Sequence, residues 1–301
     1  ENLILTIQYP KSMYHLFVGV YPNDQETIDI VSEIQKRVPN VHMVINCIQG
    51  PTTKAQNINF VISQIKEYEK TYGWRFAAIT VHDAEDVVHP YEFMVTNYLI
   101  DYYDALQFPV FPLMQMPRFS NFLSALTVGT YADEFAENHF ITMVGRCSTG
   151  AFVPSAGTGF SLSRKTIDSF ETDEILPSSS LTEDYRLSLT LFEKGLAMHY
   201  VLDKIPRVSD DNKISFDYVT TRSMFPTTFK TAVKQKTRWI LGITMQSIGL
   251  KEVFAKNNLS FIGRYSIYRD LKAKIGNLLT FVGYPVLVYF IISLFYPLTP
   301  I

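Results

Sequence analysis

Three carboxylates within four residues, Asp83-Ala84-Glu85-Asp86, form the densest chemical feature of the sequence. Carboxylates this close repel one another unless a cation or solvent intervenes. At a strand's end they can converge on a divalent metal, and hard oxygen ligands suit Mg2+ or Mn2+, which would in turn hold a diphosphate. His82 and His89 flank the cluster and add a zinc alternative, without an HExxH spacing or a third ligand. The same string also fits a solvated acidic turn before a helix opening at Pro90. A second acidic pair, Thr182-Glu183-Asp184, opens a helical stretch, where acids favour the dipole. In isolation Gln235-Lys236-Thr237-Arg238-Trp239 reads as an amphipathic helix with Trp239 on its apolar side.

The elements that must position these residues follow from hydrophobic periodicity. Strand-like runs occupy 14–20, 41–46 and 76–81. Between them, Ile28, Val31, Ile34 and Val38 recur at helical spacing, as do Ile58, Val61, Ile62 and Ile65. Two βαβ units result, and ligands of such sheets gather at the carboxyl ends of strands. This directs attention to Tyr21-Pro22-Asn23-Asp24 after Val20 and to His82 onward after Val81. A Pro-rich stretch over 108–112, with Pro117, leads into a helix through about Glu137, and the sheet resumes near 158–163. Thr182 is a candidate N-cap for a helix over 183–194 stopped by Gly195, and Thr227 or Thr228 for one running through Trp239 towards Gly249.

A chain of 301 residues, 47% hydrophobic, builds at least one sizeable core. Its net charge of -2 supplies no basic field for nucleic acid, so no nucleic-acid partner is expected. Cys47 and Cys147 form no CxxC pair, which argues against a metal knuckle or a disulfide framework. The 27 residues over 275–301 carry no charge. The densest part, 278–296, would be roughly 28 Å long as a helix, near the bilayer's hydrocarbon thickness. Arg264, Arg269, Lys272 and Lys274 precede it against Asp270 alone, the flank that stays cytoplasmic. A transmembrane helix over 275–301 is therefore expected, the alternative being a buried core helix. The chain begins at Glu1 rather than Met, and the expectation is a piece whose amino end lies elsewhere.

In this order, the strings resemble the family 2 glycosyltransferases, which are inverting and membrane-associated. Asp24 falls in the nucleotide-facing turn, and Lys54-Ala55-Gln56-Asn57-Ile58-Asn59 is similar to the family's Lys-Ala-x-x-Leu-Asn. Asp83-Ala84-Glu85 stands in place of Asp-x-Asp, and Gly157-Thr158-Gly159-Phe160 lies in the acceptor-side segment. Thr182-Glu183-Asp184 is similar to Thr-Glu-Asp, and Gln235-x-x-Arg238-Trp239 to Gln-x-x-Arg-Trp. The resemblance implies an α/β GT-A fold, Rossmann-like, with a mostly parallel central sheet flanked by helices. It implies a cytoplasmic domain over 1–225 lacking the family's first strand, an interfacial helical segment over 226–274, and the transmembrane helix.

It also implies a mechanism. Asp184 acts as general base, while Asp24, Lys54, Asp83 and Arg238 bind the nucleotide-sugar donor. Trp239, Gln235, Glu183 and Gly157 serve the polysaccharide or lipid acceptor. Mg2+ or Mn2+ is held by Asp83, Glu85 and Asp86; Glu85 is longer than the family's Asp, which brings Asp86 into the candidate set. The strings around Asp24, Lys54 and Asp83 resemble bacterial inner-membrane members linked to phage adsorption, implying that membrane as location and a phage or envelope protein as a candidate partner. Two alternatives stand beside this reading: a nucleotide-sugar-binding module without turnover, and a nucleotidyltransferase, for which the expected phosphate loop is missing.

Overall fold

Alternation of short apolar runs with amphipathic ones resolves, in a computed structural model describing residues 2–172, 174–196, 198–208, 211–255 and 259–296, into an α/β domain with a helical carboxyl-terminal part. In chain order the first half comprises α1 (Asn2–Thr6), β1 (Leu16–Val20), α2 (Gln25–Arg37), β2 (Val41–Ile45), α3 (Lys54–Tyr72) and β3 (Ala78–Val81). It continues with α4 (Glu92–Leu99), β4 (Ala105–Gln107), β5 (Val110–Pro112), α5 (Phe122–Glu137) and α6 (Met143–Ser148). Then follow β6 (Phe160–Ser163), α7 (Arg164–Asp168), α8 (Glu183–Glu193), β7 (Met198–Tyr200), β8 (Lys204–Val208), β9 (Ile214–Tyr218) and β10 (Thr221–Ser223). The last elements are α9 (Phe229–Trp239), α10 (Leu250–Val253) and α11 (Phe261–Ser293).

Local chemistry sets the boundaries. Asp24 caps α2 by accepting from the Thr27 amide, and Thr53 and Gln56 close a capping box on α3. Gly73, left-handed at φ 67°, ends that helix. The expected Thr182 cap is different: its hydroxyl makes no capping bond and faces the Ser247 hydroxyl at 3.5 Å instead.

Strands β1 and β2 pair in parallel, Leu16 opposite Val41 through Val20 opposite Ile45. The four-stranded sheet runs in the order β3-β6-β4-β7 and is mixed, which corrects the expected mostly parallel arrangement. Strand β6 lies antiparallel to both β3 and β4, because the chain re-enters the sheet from the loop at its ligand-facing edge. Strands β10 and β5 pair in parallel, and β8 and β9 form an antiparallel hairpin. Helix α3 buries Ala55, Ile62 and Ile65 against a core that includes Val81, Phe160, Leu162, Leu187 and Leu191.

The expected transmembrane helix over 275–301 is not found. Among the described residues no helix is long and apolar enough to cross a membrane. The apolar run is the distal part of α11, which continues without a break through Pro285 and ends at Ser293. Residues 297–301 of the expected span lie outside the described residues. The first turns of α11 instead dock on the domain. Arg146 holds Asp270 with both terminal guanidinium nitrogens, the Tyr185 hydroxyl donates to Asp270 at 2.9 Å, and Phe152, Tyr185, Leu189, Ile248 and Ile267 share one apolar cluster. The Arg146 and Asp270 side chains are 10% and 15% exposed, so Arg146→Met strands a buried carboxylate. It should cost about 3–5 kcal/mol, read as a lower urea midpoint; an unchanged midpoint would show that this pair does not hold the helix.

Candidate active site

The loops that leave β1 and β2 are locked to each other. The Tyr21 hydroxyl lies 2.8 Å from that of Thr52, the Gly50 amide donates to Asn23 Oδ1 at 2.7 Å, and Asn23 Nδ2 returns a bond to the Gly50 carbonyl at 3.0 Å. Interlocking fixes the entry to α3, and the helix places Lys54 in its first turn.

Lys54 gathers the site. Its ammonium pairs with Asp83 at the carboxyl end of β3 and donates to the Gly157 carbonyl at 2.9 Å. Gly157 abuts Asp184 so closely that a Cβ there would sit 2.8 Å from Asp184 Oδ2, and its φ of 87° favours glycine. Four expected site residues, Lys54, Asp83, Gly157 and Asp184, thus converge from segments spread over 130 positions of sequence. Gly157→Ala should push the Asp184 carboxylate aside and reduce turnover at least tenfold while far-UV dichroism stays unchanged. Full turnover by that variant would show that Asp184 needs no such placement.

Burial raises the pKa of Asp184 to about 6, with the neighbouring Glu183 carboxylate adding to the effect; the Tyr185 amide and the Lys54 charge pull it back. A carboxylate poised near neutrality is suited to accept a proton. Glu183 is buried in the same turn of α8. Asp24 is not part of this cluster: its exposed carboxylate accepts from the Thr27 hydroxyl at 2.7 Å and the Thr27 amide at 3.1 Å, and these bonds hold its pKa down. It stands at the carboxyl end of β1, on the ligand edge.

The expected metal set divides. Glu85 is exposed, and Asp83 faces Lys54. Asp86 turns inward, its side chain fully covered: Oδ2 accepts from the Asp83 amide at 2.9 Å and from the Thr158 hydroxyl. The expectation that Asp86 binds the metal is therefore corrected, since its side chain is fully covered, with Oδ2 spent on closing the turn and fixing the next loop and Oδ1 buried away from Glu85's exposed edge. Among the described residues no three His, Cys, Asp or Glu side chains group closely enough to hold a metal by themselves. Asp83 and Glu85 remain as two hard oxygen donors, a set that fits Mg2+ or Mn2+ when substrate phosphates complete the shell. His82 is committed elsewhere, which removes the zinc alternative: its Nε2 lies 2.7 Å from Glu92 Oε1. Burial opposes its charge, yet Glu92 and Asp86 raise its pKa to about 10.

The remaining motif lies on α9 and packs on α5, and it is the continuation of α9 that reaches the start of α8. Gly242, in the π-helical turns Ile240–Ser247 that continue α9, lies against Thr182, where a Cβ would approach to 2.6 Å. Trp239 packs edge-on to Tyr131 and tilted on Phe135, both with centroids 6.1 Å away. Arg238 is exposed, and Gln235 Oε1 is buried without a partner among the described residues.

Sequence reasoning missed Gln107, which is fully buried. Its amide donates to the carbonyls of Phe108, Thr158 and Gly159, and its Oε1 accepts from the Ser155 hydroxyl and the Ala156 amide. It fixes the loop carrying Gly157. A polar residue in an apolar strand, Ala105-Leu106-Gln107-Phe108, was the available signal.

An α/β domain whose strand ends hold a lysine-paired aspartate opposite a second carboxylate poised for proton transfer is a group-transfer site. Residues 2–242 match the family described as "Glycosyltransferase like family 2". The chain belongs to that family. It is 36% identical over 309 aligned positions to bacteriophage adsorption protein B of Escherichia coli K12 and to bacteriophage N4 adsorption protein B of Escherichia coli O157:H7, covering 98% of this chain and 40% of each relative. The chain thus spans less than half the length of these relatives. Among solved structures it is similar to S. aureus TarS 1–349 (TM-score 0.47) and to the same protein in complex with UDP-GlcNAc (TM-score 0.49). Both matches are at 10% identity and cover 90% of this chain, with 64% and 65% of the respective structures.

Proposed function

We propose that this glycosyltransferase inverts the anomeric centre of a UDP-linked hexose or N-acetylhexosamine while transferring it to a polysaccharide or lipid acceptor. The observation that carries the reading is the convergence of Lys54, Asp83, Gly157 and Asp184. Asp184 takes the proton from the acceptor hydroxyl as that oxygen attacks from the face opposite the departing diphosphate. Lys54 and Arg238 offer positive charge to the diphosphate, on which negative charge grows. Mg2+ or Mn2+ held by Asp83 and Glu85 would supply further neutralisation of the leaving group. A cleft of about 380 Å³ beside Asn46, Thr52 and Gln56 gives room near the ends of β1 and β2 for the nucleoside. Trp239 and Gln235 border the acceptor side.

Exposed Phe119, Leu123, Phe229, Leu241 and Met245 favour association with a membrane surface, and the cytoplasmic face of a bacterial inner membrane is the proposed location. The names of the Escherichia coli relatives support, as a separate proposal, a phage or envelope protein as partner.

The reaction class is tested by offering the intact protein a panel of UDP-, GDP- and dTDP-sugars with Mg2+ or Mn2+. Release of nucleoside diphosphate from one donor, with an inverted anomer in the product, is the expected result. Release of pyrophosphate, or binding of donors without release, would overturn it.

A further inference from the structure

A buried carboxylate outside every motif named above lies under the donor loop, against His82. Glu92, 0% exposed in the first turn of α4, accepts at 2.7 Å from His82 through Oε1 and at 3.3 Å from the Thr221 hydroxyl through Oε2. On the other side of the imidazole, His82 Nδ1 lies 3.6 Å from Asp86 Oδ2. The imidazole of His82 therefore lies between two carboxylates that would otherwise face each other. The two carboxylates in turn reach three separate segments. Asp86 bonds the Asp83 amide and the Thr158 hydroxyl, and Glu92 bonds Thr221. Backbone bonds between Val87 and Arg222, at 2.7 and 2.9 Å, fasten the same loop to β10.

The consequence falls on Asp83. Its carbonyl accepts from the Asp86 amide at 3.1 Å while its own amide is held by the Asp86 carboxylate, so the turn is closed from both directions. With Asp86 drawn inward towards His82, Asp83 faces Lys54. Without the imidazole, Asp86 would face Glu92 across a gap, and like-charge repulsion would drive it outward, opening the turn.

We propose that His82, clamped by Glu92, is a positioning residue that orients Asp83 towards the donor by anchoring Asp86 beneath it. The inference rests on the proposed nucleoside diphosphate donor and adds two residues, His82 and Glu92, to the machinery that binds it. Neither touches the reacting atoms.

The test uses the intact purified protein and calorimetric titration with UDP and with GDP in the presence of Mg2+, alongside thermal unfolding of each variant. His82→Asn should weaken binding of the preferred nucleotide at least tenfold. Asp83→Asn should weaken it by a similar factor. The double variant His82→Asn/Asp83→Asn should be no worse than Asp83→Asn alone, because a positioning residue acts through the group it positions. If His82→Asn fails to fold, the isosteric Thr221→Val, which removes one anchor of Glu92, should still weaken binding about threefold. Losses that multiply in the double variant, or variants that melt lower yet bind nucleotide as the wild type does, would overturn the proposal and leave the donor reading standing. A wild-type protein that binds neither nucleotide would overturn the donor reading and the positioning role together.

Discussion

Asp184→Asn should abolish sugar transfer, with a loss of about 10²- to 10⁴-fold in kcat, and yet give a more stable protein. The fold opposes ionisation of this carboxyl, raising its pKa from 3.8 to about 6. The stabilising contribution of the neutral form is complete below about pH 4 and disappears as pH rises through 6. At pH 7.5 the wild type carries a charge that its surroundings penalise by about 1–3 kcal/mol, and asparagine does not. Thermal unfolding should therefore show a higher Tm for the variant at pH 7.5 and a smaller difference at pH 4. A variant both inactive and less stable at pH 7.5 would mean that Asp184 is held by favourable contacts, as a structural rather than a proton-accepting group.

Lys54→Met carries the second large effect. The ammonium is the cation placed on both Asp83 and the Gly157 carbonyl, and a charged hydrogen bond of this kind is worth about 1.5–3 kcal/mol. Donor affinity should fall about 10- to 150-fold, measured by titration with the nucleotide-sugar. Because Lys54 also lowers the pKa of Asp184, its loss should move the acid limb of activity to higher pH. Lys54→Met with unaltered donor affinity would remove the lysine from the donor site.

How far the sequence discloses this arrangement differs from residue to residue. Asp83, Lys54 and Asp184 are legible because each lies at the end of a strand or the start of a helix, where backbone geometry alone puts a side chain at the ligand edge. The helices over 25–37 and 54–72 are equally legible, since their apolar positions recur every three or four residues. The direction of Asp86 is not legible, because a residue three places after Asp83 in a turn can face either way, and its partner Thr158 lies 72 positions away. Nor is Glu92, whose partners His82 and Thr221 lie 10 and 129 positions away. The mixed order of the sheet escapes for a related reason: a four-residue strand such as β6 looks alike in either direction, and the loop at Gly157 determines which it takes. The apolar run after residue 275 misleads because length and hydrophobicity resemble a span, while the helix that carries it begins at Phe261 and docks through Asp270.

Proton acceptance by Asp184 is the central claim, and the pH dependence of kcat/KM tests it most directly, because that parameter reports the free protein's essential base. For the wild type, kcat/KM should be level above about pH 7 and fall tenfold per pH unit below about 6, while the residual activity of Asp184→Asn should show no limb there. A wild-type profile that stays level to pH 4.5, or a limb near 6 that survives in Asp184→Asn, would contradict the assignment.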